Sequence, residues 1–549
     1  MTFSPSPIAT RLGMLILAFG LLQTSAPRPT SAQVQNAFEN PTDEPVTLTL
    51  DEALQIALVQ NYTVRSNRLD VANASAQVRE AWGQLLPQID ASASYTRNIK
   101  SANPFAGSDA GSLFGSLGFV DWLAYNERAR VDDQPSTEPI PFDEFAQRQS
   151  EGRQAAGFDP STVSDNPFAV PNQFQNGITV TQTLFNGSVF AAVKGAQGLK
   201  DINQRGLDRQ EQVLMDQVKQ AFYGALLAQQ QAQVSSQSTD RTEATLREVS
   251  RRVTQGVQPK FQRLSAEVEL ANLETQLVQA ESQAALAVDN FKQTLGIPID
   301  QAVRLRGDLE VENLDAFMTA SLDDAVVQAL ERRPDVEQAR IAVDLRGVEK
   351  NITRSEYLPA ISAFANFNYT GTVPDNRTSF FQDPSTPENP FQFVRNDRDF
   401  FSSNYWNPSI AAGVRLSWNL FNGFQTSARV QQRQIAVDQA QVQYEQLVQA
   451  VRLEVASALR SLRAASTRIA SQSQNVDRAE LNYEYAEARL REGVSSQLEL
   501  RDASEQLDQS RLNYAQAMHD FLLARSAFET AVGVPVGTAA TSDFQFTSK

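Results

Sequence analysis

Cysteine is absent from this chain of 549 residues, and histidine occurs once, at His519. Without cysteine there are no disulfides, thiolate metal sites or thiol nucleophiles. The cysteine that a lipid anchor would need at a signal cleavage site is missing too. His519 falls off the apolar seam of a long helical stretch, where it reads as a solvated or lumen-facing side chain. No phosphate-binding loop, dinucleotide fingerprint or metal-spaced cluster is present, so neither an enzyme nor a cofactor is implied. Basic charge is short as well, with 48 Lys and Arg against 64 Asp and Glu, a net −16. A polyanion repels phosphate backbones, which excludes nucleic acid as a partner. Long apolar runs are also missing. The longest, Leu12 to Leu22, is far shorter than the roughly 20 residues that a membrane-spanning helix needs. With Arg11 before it and Thr30-Ser31-Ala32 after it, this run predicts a cleaved signal peptide over 1–32 and therefore export.

Glycine and proline are missing from two further stretches. Neither occurs from Phe424 to Glu492, nor again from Val494 to Val532. As one helix the first would be about 100 Å long at 1.5 Å per residue. In the second, Leu500, Leu507, Tyr514, Phe521 and Phe528 recur every seventh residue, with Ala503, Ser510, Ala517 and Ala524 between them. Leu270, Leu277, Ala284 and Phe291 set the same rhythm earlier in the chain. Such heptads predict coiled-coil seams, and their alanines let helix axes approach closely. Gly256 and Gly493 then mark the tips where antiparallel helices turn back.

The chain is written twice. Leu50-Asp51-Glu52-Ala53 returns as Leu322-Asp323-Asp324-Ala325, and Leu86-Pro87-Gln88-Ile89 returns at the same spacing as Leu358-Pro359-Ala360-Ile361. Leu184-Phe185-Asn186-Gly187 returns as Leu420-Phe421-Asn422-Gly423, now at a shorter spacing. That shorter spacing holds to within one position for Gly256-Val257 with Gly493-Val494, and for Leu295-Gly296-Ile297-Pro298 with Val532-Gly533-Val534-Pro535. Duplicated islands in one order predict a repeat architecture. The change of spacing means that the first copy carries an insertion between its two middle islands. The copies span 47–298 and 320–535, with a connector at 299–319 and a flexible tail at 536–549.

Each copy follows one grammar. A helix opens on a capping box, Thr49 with Glu52 or Ser321 with Asp324, and runs to the Leu-Pro pair. Strict alternation follows: Ile89, Ala91, Ala93 and Tyr95 against Asp90, Ser92, Ser94 and Thr96, repeated as Ile361, Ala363, Ala365, Phe367 and Tyr369 against polar neighbours. A second strand comes after a loop rich in Pro, Asn, Asp and Phe and without lasting period, 100–175 in the first copy and 371–408 in the second. Ile178 and Val180 alternate with threonines there, and Val414, Leu416, Trp418 and Leu420 with Arg415, Ser417 and Asn419. The strands are predicted at about 88–99, 176–185, 360–370 and 409–420, and the helical hairpins at about 188–296 and 424–533. One apolar and one polar face suit a barrel with lipid outside and water inside, or the edge of a sandwich. Four strands cannot close a barrel, since the smallest single-chain barrels use eight, so the chain would have to oligomerise. A secreted coiled-coil structural protein without a pore also fits the helices and the export signal, but not the strand pairs.

The motifs TLDEALQIAL and SLDDAVVQAL, LLPQI and YLPAI, TLFNG and NLFNG, LGIP and VGVP together resemble the TolC-like outer-membrane efflux protein family, over about 47–535. The resemblance implies an α+β membrane protein: a homotrimer whose twelve strands form one β-barrel in outer-membrane lipid, continued by an α-helical barrel in the periplasm. It implies a passive, gated exit duct of an efflux or type I secretion system. The duct would dock to a periplasmic adaptor and an inner-membrane pump of the resistance-nodulation-division or ABC type. Family entrance acids match Glu499 and Asp502, three apart on one helix, and the adaptor-contacting tips match Arg252, Gly256, Val257, Arg489, Gly493 and Val494. Ser496-x-x-Glu499 is itself a capping-box pattern, so Glu499 is also a candidate helix cap. The polar links with which family members lock the entrance fall on Leu490, Gln262, Ser495 and Phe261 and are not reproduced.

Overall fold

A computed structural model describes residues 45–100, 110–132, 138–159, 170–309, 321–492 and 494–534. The expected signal peptide, Gly493, the tail at 536–549 and much of the 299–319 connector lie outside the described residues.

In the first copy, β1 (Val46–Leu48) leads to α1 (Leu50–Gln60), α2 (Tyr62–Gly83) and β2 (Gln88–Arg97). Next come α3 (Ala110–Val131), α4 (Phe142–Ala155), β3 (Asn172–Phe185), α5 (Gly187–Thr254) and α6 (Lys260–Leu295). After β4 (Val303–Leu305) the second copy runs α7 (Leu322–Arg332), α8 (Pro334–Arg354), β5 (Ala360–Val373), β6 (Thr378–Gln382), β7 (Phe393–Asp397), β8 (Trp406–Ser417), α9 (Gln425–Arg491) and α10 (Gln497–Val532). The long glycine- and proline-free stretch is thus one helix of 67 residues.

Three expectations are corrected. The helix that opens each copy is two helices, because Asn61 (ψ 129°) and Arg333 (ψ 121°) leave the helical backbone conformation. Asn61 caps the following helix, its Oδ1 accepting from the amides of Thr63 and Val64. Arg333 precedes Pro334, which disfavours helix at the residue before it. The capping box is complete at Thr49 and Glu52, but Ser321 makes no side-chain capping bond. Asp324, one methylene shorter than glutamate, does not complete the box. Finally, the loops without period hold α3, α4 and the β6–β7 hairpin.

The chain divides into two compact units. One comprises 1–76, 197–346 and 435–549 and, in its described part, is helical apart from the parallel pair β1–β4. Its core is doubled like the sequence. Ala53, Ala57, Leu214, Val218, Phe222, Phe291 and Leu295 form one cluster. Ala325, Ala329, Val451, Val455, Leu459, Phe528 and Val532 form the other. Taken in that order, each member of the second occupies the position of its counterpart in the duplicated sequence. Gly296 and Gly533 end α6 and α10 at φ +78° and +79°, and a Cβ on Gly296 would lie 2.7 Å from the Gln60 carbonyl. Only glycine offers both that conformation and that approach.

The other unit comprises 77–196 and 347–434. It holds an antiparallel sheet in the order β2-β3-β5-β8. Beyond one end of the sheet, α3 and α4 pack on the β6–β7 hairpin through Tyr125, Phe145 and Phe391, whose ring centroids lie 5.4–5.5 Å apart. Asn126 is buried and holds Ile140 by two bonds of 2.9 and 3.0 Å. Helix α4 reaches the hairpin at Gly152, where a Cβ would run into the Phe391 carbonyl oxygen. Gly152→Ala should therefore lift α4 off the hairpin. Overpacking of about 1–3 kcal/mol corresponds to roughly tenfold faster tryptic cleavage near Arg148 and Arg153. Cleavage at the wild-type rate would show that the hairpin moves aside at no cost.

Candidate functional site

The register of the sheet sorts its side chains by face. Ile89, Ala91, Ala93 and Tyr95 of β2 align with Val180, Ile178, Asn176 and Phe174 of β3. These align in turn with Ala365, Phe367, Tyr369 and Gly371 of β5, and with Ala412, Ile410, Pro408 and Trp406 of β8. Asn176 apart, these four rows are apolar, and they are largely uncovered: Ile89 is 70 % and Ile410 79 % exposed. The opposite face carries Asp90, Ser92, Ser94 and Thr96, then Thr179 and Thr181, Ser362, Asn366 and Asn368, and Arg415 and Ser417. Strands of 10 to 14 residues are long enough to cross a bilayer when tilted. Among the described helices, none is long and apolar enough to do so.

One end of the apolar face is rimmed with rings. Tyr95 stacks on Phe174 at 4.8 Å, and Trp406 packs on Phe174 at 5.3 Å and on Tyr369 at 5.1 Å. The Trp406 indole fills the space over Gly371, where a Cβ would lie 2.8 Å from it, and donates to the Phe400 carbonyl at 2.8 Å. Aromatic side chains with a polar handle suit a lipid–water boundary.

At the first hairpin tip, Gly256 stands at φ +74° and the Val257 amide donates to the Arg252 carbonyl at 3.0 Å. At the second, the Val494 amide donates to the Arg489 carbonyl at 2.9 Å. Four of the expected tip residues are thus the two ends of equivalent turn-closing bonds. Glu248 accepts from Arg252 at 2.8 Å and pairs with Arg251 at 2.5 Å. The Arg252 hydrogen bond, then that of Arg251, holds its carboxyl below the ordinary value.

Glu499 and Asp502 lie exposed in the first turns of α10, each beside a cation: Arg489 at 3.6 Å from Glu499, and Arg501 at 3.7 Å from Asp502. The Glu499 amide donates to Ser496 Oγ at 3.3 Å, while its carboxylate accepts from Ser495 Oγ at 2.7 Å. Ser496 therefore caps the helix, and Glu499 ties the tip to the helix start. His519, expected to be solvated or lumen-facing, is largely covered within the chain. Its side chain is only 13 % exposed and lies 3.5 Å from Asp520 and 3.4 Å from Gln516.

Sequence reasoning missed a buried ion network in the helical unit. Arg333, 3 % exposed, donates to Asp335 at 2.7 and 3.0 Å, to Glu454 at 2.7 Å and to the Ala531 carbonyl at 3.2 Å. Arg209 stands 3.6 Å from Asp335 and 3.8 Å from Glu454, and donates to the Thr530 carbonyl at 3.1 Å. Burial and the neighbouring Arg333 lower the Arg209 pKa. The network joins α5, α8, α9 and the end of α10. Its one sequence signal was an Arg-Pro-Asp step at a helix break.

A sheet with one lipid-suited face, in a chain that also carries two long helical hairpins, defines the class of outer-membrane channel proteins. The chain belongs to the outer membrane efflux protein family, whose profile matches residues 145–297 and 325–534. It is similar to the alkaline protease secretion protein AprF of Pseudomonas aeruginosa, at 20 % identity over 66 % of this chain and 70 % of that protein. It is also similar to the cation efflux system protein CusC of Escherichia coli, at 22 % over 57 % of this chain and 63 % of that one. Its fold resembles the Campylobacter jejuni CmeC outer membrane channel, with TM-score 0.63 and 13 % identity over 88 % of this chain and 85 % of that one. It likewise resembles the open state of the Neisseria gonorrhoeae MtrE channel, with TM-score 0.61 and 15 % identity over 90 % and 94 %.

Proposed function

We propose that three copies of this chain close one twelve-stranded barrel and form the passive exit duct of an efflux or type I secretion assembly. The sheet carries this reading. It has an exposed apolar face, a polar face, and two edges, β2 and β8, with no partner strand among the described residues. In lipid an open edge costs several kcal/mol per unpaired backbone group, and three four-stranded sheets joined edge to edge leave none. The polar faces would then line a water-filled lumen and the apolar faces meet lipid. A secreted coiled-coil rod would leave this sheet without a purpose. Sequence resemblance and family membership support docking of the hairpin tips, around Arg252, Val257, Arg489 and Val494, to a periplasmic adaptor and so to an energised inner-membrane pump.

The purified protein should run as a trimer by mass measurement in detergent and conduct ions in planar bilayers. A stable monomer inserted in the membrane, or trimers without conductance, would overturn the proposal.

A further inference from the structure

The four strands carry three charged side chains: Asp90, Arg97 and Arg415. Arg97 is accounted for at the loop end of the sheet, where it pairs with Asp375 of the loop after β5. The other two are not. The central strands β3 and β5 have no charge, and each edge strand has one on the polar face, Asp90 on β2 and Arg415 on β8. Among the described residues neither has an ion-pair partner.

Their places within the strands match as well as their signs. Asp90 is the third residue of β2, just beyond the end of α2, and Arg415 is the third from the end of β8, just before α9. Arg415 is presented rather than loose. Its guanidinium lies 5.3 Å from the centroid of the Phe364 ring, and Gly413 leaves room for that ring, since a Cβ there would lie 3.0 Å from it. A guanidinium stacked by its face keeps its N–H edges free to bind a carboxylate.

We infer that Asp90 and Arg415 recognise each other between copies, forming a lumen-side ion pair at every seam where β8 of one subunit meets β2 of the next. This rests on the closed-barrel reading above. Within one sheet the row of Asp90 ends at Ala411, four residues from Arg415. Four residues at about 3.3 Å each, taken over three strand spacings of about 4.8 Å, is the offset that the roughly 35–45° strand tilt of a closed barrel produces, so joining the edges brings the two charges to the same height. Directly opposed residues on neighbouring strands stand about 5 Å apart and diagonal ones about 7–8 Å. Both separations are within reach of an arginine and an aspartate. The wrong pairings, β2 to β2 or β8 to β8, would set like charges side by side. The pair therefore selects the head-to-tail closure of the ring and helps set its register.

The test uses the full-length protein and the heat-dissociation midpoint of its trimer on semi-native gels. Asp90→Arg or Arg415→Asp alone should lower the midpoint by more than about 5 °C, and the double exchange should restore most of it. Because the chain has no natural cysteine, Asp90→Cys with Arg415→Cys provides a second measurement. A short bismaleimide should convert this variant into covalent dimers and trimers, and either single cysteine should not. Midpoints unmoved by both reversals, or no cross-linked ladder from a variant that still runs as a trimer, would overturn the inference and leave the barrel intact. Wild-type protein that forms no trimer would overturn the barrel itself.

Discussion

Replacing Arg333 by methionine is expected to destabilise the helical unit by about 3 kcal/mol, the lower end for removing one partner of a buried ion pair. Methionine fills similar space but leaves Asp335, Glu454 and the Ala531 carbonyl without the donor that now serves all three. Arg209, at 3.6 Å from Asp335 and 3.8 Å from Glu454, offsets part of the loss, which is why the lower end applies. The control is Arg68→Met, whose pair with Glu211 is 43 % exposed on the arginine side. Surface pairs of that kind contribute about 0–1 kcal/mol. Urea unfolding followed by helical circular dichroism compares the two, and equal losses would show that the buried network holds nothing together. Acid gives a second arm. Burial raises the Asp335 pKa, but the Arg333 hydrogen bond and charge, with Arg209, bring it net below the ordinary 3.8. A folded value below the unfolded one stabilises above about pH 4, and that contribution is lost as pH falls through the folded value. The wild type should therefore lose stability below about pH 4, and the Arg333→Met variant should show a flatter acid limb.

Replacing Glu499 and Asp502 together by alanine should bring cation preference close to unity and weaken block by multivalent cations about tenfold, or about 1.4 kcal/mol. The motive is their exposure side by side at the start of α10, where three copies would set six carboxylates around one axis. Each now has an arginine within 4 Å, so the ring would act through the field left after that partial compensation. The helix should survive, because Ser496 remains as its cap and a lost capping contribution is only about 1 kcal/mol. Reversal potentials under a salt gradient measure the effect. Unchanged selectivity in trimers that still conduct would remove both residues from the entrance and leave Glu499 as the link between Ser495, Arg489 and the helix.

Much of the architecture was legible because it rests on period and on breakers. Freedom from glycine and proline announced α9 and α10, alternation announced β2, β5 and β8, and duplication located both hairpin tips. Each signal is local: a side chain's face follows from its place in a helix or strand, whatever it touches. Tertiary structure alone decided the rest. Helices α3 and α4 dock through Tyr125 and Phe145 on Phe391, which belongs to the other copy of the repeat. Nothing local marked Arg333 as buried; folding enclosed it among groups from α5, α8, α9 and α10. Periodicity records only which face a residue occupies. Which opposite charge or ring that face will meet depends on chain segments distant in sequence, and only the folded chain brings them together.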